Sequence, residues 1–169
     1  MRHQVSRPAG IGIFIVNNNQ QPPSTIYIRA SMPSTTSVLM AEAAGLALAA
    51  TMATTLHIRD PTFLSDNQQL VNFINANDHS SPPLWSIKNY TQTFFNHFSA
   101  ESCKVFKIDR SFNSTAHLLA RQAFATTPIS TQMSSYSCTN LNHDYRCPYR
   151  EALNSISLEG LTLLAVSCC

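Results

Sequence analysis

Charge is scarce in this chain of 169 residues: only 12% of them are Asp, Glu, Lys or Arg, about half the share of an ordinary globular protein. Eleven basic against nine acidic residues leave a net charge of +2. That balance excludes nucleic-acid binding by bulk electrostatics, so any polyanion has to be handled by a small local site. No apolar run reaches the ~18 residues that a membrane-spanning helix needs, and none of signal-peptide length precedes the polar tract at Asn17. Glycine, at four residues, is also rare. The cysteines, at 103, 138, 147, 168 and 169, are odd in number and match no zinc spacing. Cys138 and Cys147 bracket His143, but that set lacks a fourth ligand. Cysteine usage of this kind suits a reducing, intracellular compartment, nuclear or cytoplasmic. What the chain does have is a hydrophobic share of 44%, enough for a real core and too much for wholesale disorder.

Along the chain, Gly10–Val16 (GIGIFIV) reads as a strand, Asn17–Ser24 as a polar turn with Pro22-Pro23, and Thr25–Ala30 (TIYIRA) as a second strand, together an antiparallel hairpin. Val38–Thr54, rich in Ala, Leu and Met, is the strongest helix, capped by one of Ser34, Thr35, Thr36 or Ser37. Glu42 is its only charge. Leu56–Ile58 and Pro61–Leu64 read as a strand region ending at Ser65–Asp66, and Asn67–Asn75 as a short helix. Asp66 thus stands at a strand's C-terminal end, where α/β sheets present ligand-binding groups. Leu84–Phe98 reads as a helix with an aromatic face, Lys104–Ile108 as a strand and Ser114–Phe124 as a helix capped by Asn113 or Ser114. Beyond it, 126–169 reads as a Ser/Thr/Pro-rich linker and irregular tail, with one apolar run at Leu158–Val166.

Four pieces in this order, AGIGIFI, AEAAGLALAA, LSDNQQLV and VFKIDRSFNSTAHLLARQA, resemble the ribonuclease H type-1-like domain in its plant, retroelement-related form. The resemblance spans a domain at 9–125. It implies an α/β fold, a mixed sheet flanked by helices, and divalent-metal-dependent endonuclease action on the RNA strand of RNA:DNA hybrids. Such a family cuts a phosphodiester with two Mg²⁺ ions, about 3.5–4 Å apart, that stabilise the attacking and leaving oxygens. Its ligands are carboxylates because a hard ion wants oxygen donors. The hybrid itself is held through backbone, groove shape and 2′-hydroxyls.

Carried over residue by residue, the resemblance puts the helix glutamate on Glu42 and the strand-end aspartate on Asp66, the two expected metal ligands. The last-helix carboxylate falls on His117, a poor Mg²⁺ ligand, expected at the rim of a catalytic site with the other two. Arg110 and Asn113 match the family's R-x-x-N turn and are the expected nucleic-acid contacts, Asn113 also a helix cap. The family's first aspartate, on a strand central to the sheet, has no counterpart, since Met1–Pro8 holds no acid. Two of four metal ligands therefore remain, with Mg²⁺ binding weak or lost. A missing central strand leaves two inner edges unpaired, unless upstream residues supply it or Leu161–Val166 replaces it.

Each of these residues has a plainer reading. Glu42 would be a helix-surface charge, Asp66 a helix cap and His117 a polar residue near a helix start. Trp85, Phe94, Phe95 and Phe98 read as core rather than as a base-stacking platform. With Lys88 nearly alone, hybrid binding is expected to be weak and salt-sensitive. The function read from the sequence is a nucleic-acid-binding ribonuclease H-like domain, inactive as a hydrolase in this chain. The alternatives are a degenerate retroelement-derived fragment and a non-catalytic interaction domain on the same scaffold.

Overall fold

A computed structural model describes residues 8–19, 23–33, 37–76, 79–99, 103–125, 135–139, 147, 149–150, 156, 158 and 160–169. Strand β1 (Ala9–Asn17) pairs antiparallel with β2 (Ser24–Met32), in a register that runs from Ala9 opposite Met32 to Asn17 opposite Ser24. Alternation then sorts the side chains. Ile11, Ile13, Ile26, Ile28, Ala30 and Met32 line one buried face, while Gly10 and Gly12 lie on the other.

Helix α1 (Val38–Thr55) begins at Ser37, whose hydroxyl accepts from Met40 N–H. By length and composition alone it would pass for a membrane span, because it is apolar on all sides. The two cores explain that composition. Ala44, Leu48 and Met52 pack on the β1–β2 face. Leu39, Ala43, Leu46, Ala50 and Ala53 pack on the opposite side, against Phe63, Leu70, Ile74, Ile87, Phe94 and Val105. Truncating a buried Leu or Met of this kind to Ala costs about 2–5 kcal/mol.

The helix stops in a left-handed turn, not in the strand expected at Leu56–Ile58. His57 has φ 52°, its N–H bonds to Thr54 C=O and the Ile58 N–H reaches back to Ala53 C=O. These two bonds satisfy the last carbonyls of α1 in the Schellman pattern. Beyond this stop, β3 (Phe63–Ser65) pairs parallel with β4 (Val105–Lys107). Between those strands lie α2 (Gln68–Ile74) and α3 (Lys88–His97). A 3₁₀ turn at Trp85–Ile87 precedes α3 and sends Ile87 into the core. Trp85, expected in the core, is instead 69% exposed, with Lys88 Nζ 5.1 Å from its ring centre. Of the three phenylalanines expected beside it, Phe94 is fully buried, whereas Phe95 and Phe98 are half-buried at the core's edge.

Helix α4 (Ser114–Ala125) covers the second face of β1 and β2. A Cβ on Gly10 would come 2.0 Å from Ala120 O, and one on Gly12 would come 2.0 Å from Ala116 O. The G-x-G pair is therefore what lets helix backbone lie directly on strand backbone.

The segment expected to be linker and irregular tail contains two strands, β5 (Ser135–Cys138) and β6 (Thr162–Cys168). β6 runs antiparallel to β2, with a register shift between Arg29 and Ala30, and β5 lies parallel to β6. The order of this mixed sheet is β1-β2-β6-β5, and β3-β4 forms a separate sheet. Leu161–Val166 was the candidate to stand between β1 and β3. Instead, the strand built from this run extends the far edge of β2, where Val166 and Cys168 continue the buried row of Ile26 and Ile28. Among the described residues no strand joins the two sheets, which are held together by α1 packing on both.

Candidate functional site

The site is assembled where β3, β4, α1 and α4 meet. At the end of β3, Asn67 caps α2 by accepting from Leu70 N–H at 3.0 Å. Ser65 Oγ in turn accepts from Asn67 N–H at 3.1 Å. The plainer reading of Asp66 as the cap therefore fails: its neighbour caps, and the Asp66 carboxylate faces the other way. The β3–β4 ladder continues through Ile108 N–H to Ser65 C=O at 3.0 Å, which brings the turn after β4 alongside Asp66. Asp109 starts that turn by accepting from Ser111 N–H and Ser111 Oγ, at 2.8 and 2.7 Å.

A 3₁₀ turn at Arg110–Asn113 runs into α4, and Asn113 and His117, four residues apart, share one face of the coil. Both point at Asp66. Asn113 Nδ2 donates to Asp66 Oδ1 at 3.0 Å, and His117 Nε2 lies 2.9 Å from Asp66 Oδ2. Asn113, expected as a contact for nucleic acid and as a cap, spends its amide on this carboxylate. The Asp66 side chain is 9% exposed and that of His117 29%.

The two carboxyl groups are driven in opposite directions. Burial pushes Asp66 upward, but the hydrogen bonds from His117 and Asn113 outweigh it and hold Asp66 below its ordinary value. Glu42, half-buried on α1, is raised, first by burial and then by the negative charge of Asp66, against the opposing charges of His117 and Arg110. The fold thus gathers all five residues singled out in the sequence. Asp66, Asn113 and His117 are in direct contact, while Glu42 and Arg110 lie within electrostatic reach.

The donor set does not suit a pair of Mg²⁺ ions. Two carboxylates and an imidazole are fewer oxygen donors than such a pair takes, and among the described residues Glu42, Asp66 and His117 do not form a converging group. Among the described residues, the group that does converge closely enough for a metal is made of sulfur: Cys138, Cys147 and Cys168. Cys168 was not connected with the other two in sequence, because strand pairing alone brings it to them. Arg121 was also missed. It lies one turn beyond His117, and with Gly10, Arg110, His117, Ala120 and Phe124 it lines an open groove of about 650 Å³. The i, i+4 spacing of His117 and Arg121 was the available signal.

No curated protein and no solved structure matches the chain. Residues 1–123 match the model of the reverse transcriptase-like family, whose fold is of the ribonuclease H-like kind and which is associated with nucleic acid. This match spans β1 to α4, including Glu42, the Asp66–Asn113–His117 contact and the lining of the groove as far as Arg121. The chain belongs to the reverse transcriptase-like family.

Proposed function

We propose that this chain is a non-hydrolytic, retroelement-derived ribonuclease H-type domain that holds an RNA:DNA hybrid in the groove beside Asp66 and His117. The observation that carries this reading is the double clamp on Asp66 by Asn113 and His117. Two side chains of the same protein occupy one lone pair on each oxygen of this carboxylate, and an incoming metal ion has to compete with them. Glu42, raised by burial and by the charge of Asp66, is the second carboxyl group at the same place. Water attack organised by two metal ions therefore has no support in these residues. What the site offers a nucleic acid is positive charge at Arg110 and Arg121 along an open groove, which suits contacts to phosphate, the kind that position a nucleic acid without reading its bases.

Two arginines set the scale of the affinity. Neutralising two phosphates gives a slope of log K against log salt near about −2. Fluorescence anisotropy with a labelled RNA:DNA hybrid should show weak binding of that slope, and Arg121→Ala should reduce the slope by about one. The same chain should release no product from the hybrid with Mg²⁺ or Mn²⁺ present. Metal-dependent cleavage that Asp66→Asn abolishes would overturn the proposal on catalysis. Failure to bind any nucleic acid would overturn the proposal on binding and leave the interaction-domain alternative.

A further inference from the structure

The three thiols converge through non-local pairing. β5 and β6 run parallel with Cys138 opposite Cys168 and Tyr136 opposite Val166. Strand alternation places Tyr136 and Cys138 on the face that carries Val166 and Cys168, and that face belongs to the α1-side core. Cys147 comes from a separate segment, which Tyr149 pins to the sheet. The Tyr149 hydroxyl is fully buried and hydrogen-bonds Ser24 Oγ at 2.7 Å. The three Sγ atoms lie within 4.8 Å of one another, and none of the three is held in a disulfide. Tyr136 Oη donates a hydrogen bond to Cys147 Sγ.

We propose that Cys138, Cys147 and Cys168 bind one zinc-type ion as three thiolates. Zn–S bonds of about 2.3 Å at tetrahedral angles put sulfurs about 3.8 Å apart. The separations, none above 4.8 Å, therefore need a closure of at most about 1 Å. Sulfur donors select a borderline-soft ion of this class over Mg²⁺. Tyr136 supplies the outer contact that thiolate sites favour, a hydroxyl donating to a ligand sulfur. Solvent fills the fourth position on the side of Cys138, the one half-buried member. The ion ties β5, β6 and the Cys147 segment together and so secures the edge strands that extend the sheet beyond β2. Binding replaces three S–H bonds by three Zn–S bonds and releases three protons to solvent, with no change of oxidation state. Packing of neutral thiols as small apolar groups is the simpler use of buried cysteine, and a Cys138–Cys168 disulfide is the competing chemistry. The convergence of three sulfurs from three separate segments favours the ion.

The test uses the full chain, purified under reducing conditions. One zinc ion per chain is expected by mass spectrometry of metals, and replacement by Co²⁺ should give the near-ultraviolet charge-transfer band of thiolate ligands. Cys138→Ser, Cys147→Ser and Cys168→Ser should each lose the bound ion, whereas Cys103→Ser and Cys169→Ser keep it. Tyr136→Phe should retain the stoichiometry with about 10–100-fold weaker affinity. A chelator should lower the thermal midpoint of the wild-type chain, a readout that holds even if a serine variant does not fold. The proposal is overturned by a wild-type chain that takes up neither Zn²⁺ nor Co²⁺, by a midpoint indifferent to the chelator, or by a Cys138–Cys168 disulfide in the reduced preparation. These readouts are independent of nucleic acid, so they stand or fall separately from the groove.

Discussion

The contact between Asp66 and His117 is the point at which the site can be tested most sharply. A hydrogen bond to a charged group contributes about 1.5–3 kcal/mol when buried. Here the Asp66 side chain is 9% exposed and that of His117 29%, so solvent screening brings the pair below that range, to about 1 kcal/mol of coupling. The cycle consists of the wild type, Asp66→Ala, His117→Ala and the double variant, each unfolded in urea at pH 7. Every 1 kcal/mol corresponds to about 2–4 °C in thermal midpoint for a chain of this size, which gives a second readout. The single variants should each destabilise, and the double variant by about 1 kcal/mol less than their sum. The pH dependence supplies the sign. Asp66 is held below its ordinary value of 3.8 in the folded chain, so its contribution is fully present above about pH 4 and disappears as the pH falls through the lower, folded value. A coupling indistinguishable from zero at pH 7 would refute the clamp. With it would go the argument that a metal has to compete for Asp66.

Two further outcomes follow from the same geometry. Glu42 is raised above its ordinary 4.5, so ionising it in the folded chain costs stability, and that cost grows as the pH rises from about 4.5 through the folded value. Glu42→Gln should accordingly raise the thermal midpoint at pH 7 and leave it unchanged near pH 4; equal midpoints at both values would contradict the burial of this carboxyl. Gly12→Ala should destabilise by about 3 kcal/mol, at the top of the usual range for overpacking. Its Cβ would lie 2.0 Å from Ala116 O and 2.6 Å from Ala120 N, both backbone atoms that cannot rotate away. Urea titration of this variant checks the close approach of α4, and a neutral result would mean that the helix lies farther from β1.

Much of the fold was legible along the chain because it is local. The hairpin follows from two Ile-rich runs around a proline-containing turn, and α1 from its Ala, Leu and Met content. Glu42 and Asp66 stood out because each is a lone acid at a place where a carboxylate needs a reason, and Asn113 and His117 stand at helical spacing across the start of α4. Propensity and periodicity report on a residue's own neighbours. They do not report on which surface an element meets. Glu42 is raised because α1 is buried there and holds it near Asp66, and Asp66 is lowered because His117 of α4 and Asn113 of the turn before it hydrogen-bond to it.

The misreadings have the same origin. Trp85 looked like core because it is large and apolar, but the 3₁₀ turn gives the inward position to Ile87. Leu56–Ile58 looked like strand because it is apolar, but the end of α1 needed partners for its last carbonyls and took them there. β6 was visible as an apolar run, and its place was not. A free strand edge accepts any partner whose inward residues continue its buried row, and β2 found that partner more than 130 residues farther along the chain. The sequence by itself determined most of the elements from β1 to α4, the family pattern and the residues worth watching. Only the tertiary structure decided that Asp66 is clamped, that the two sheets meet through α1, and that Cys138, Cys147 and Cys168 come together. Those outcomes depend on contacts between segments far apart in the chain, whose loop-closure cost and burial gain leave no trace in local periodicity.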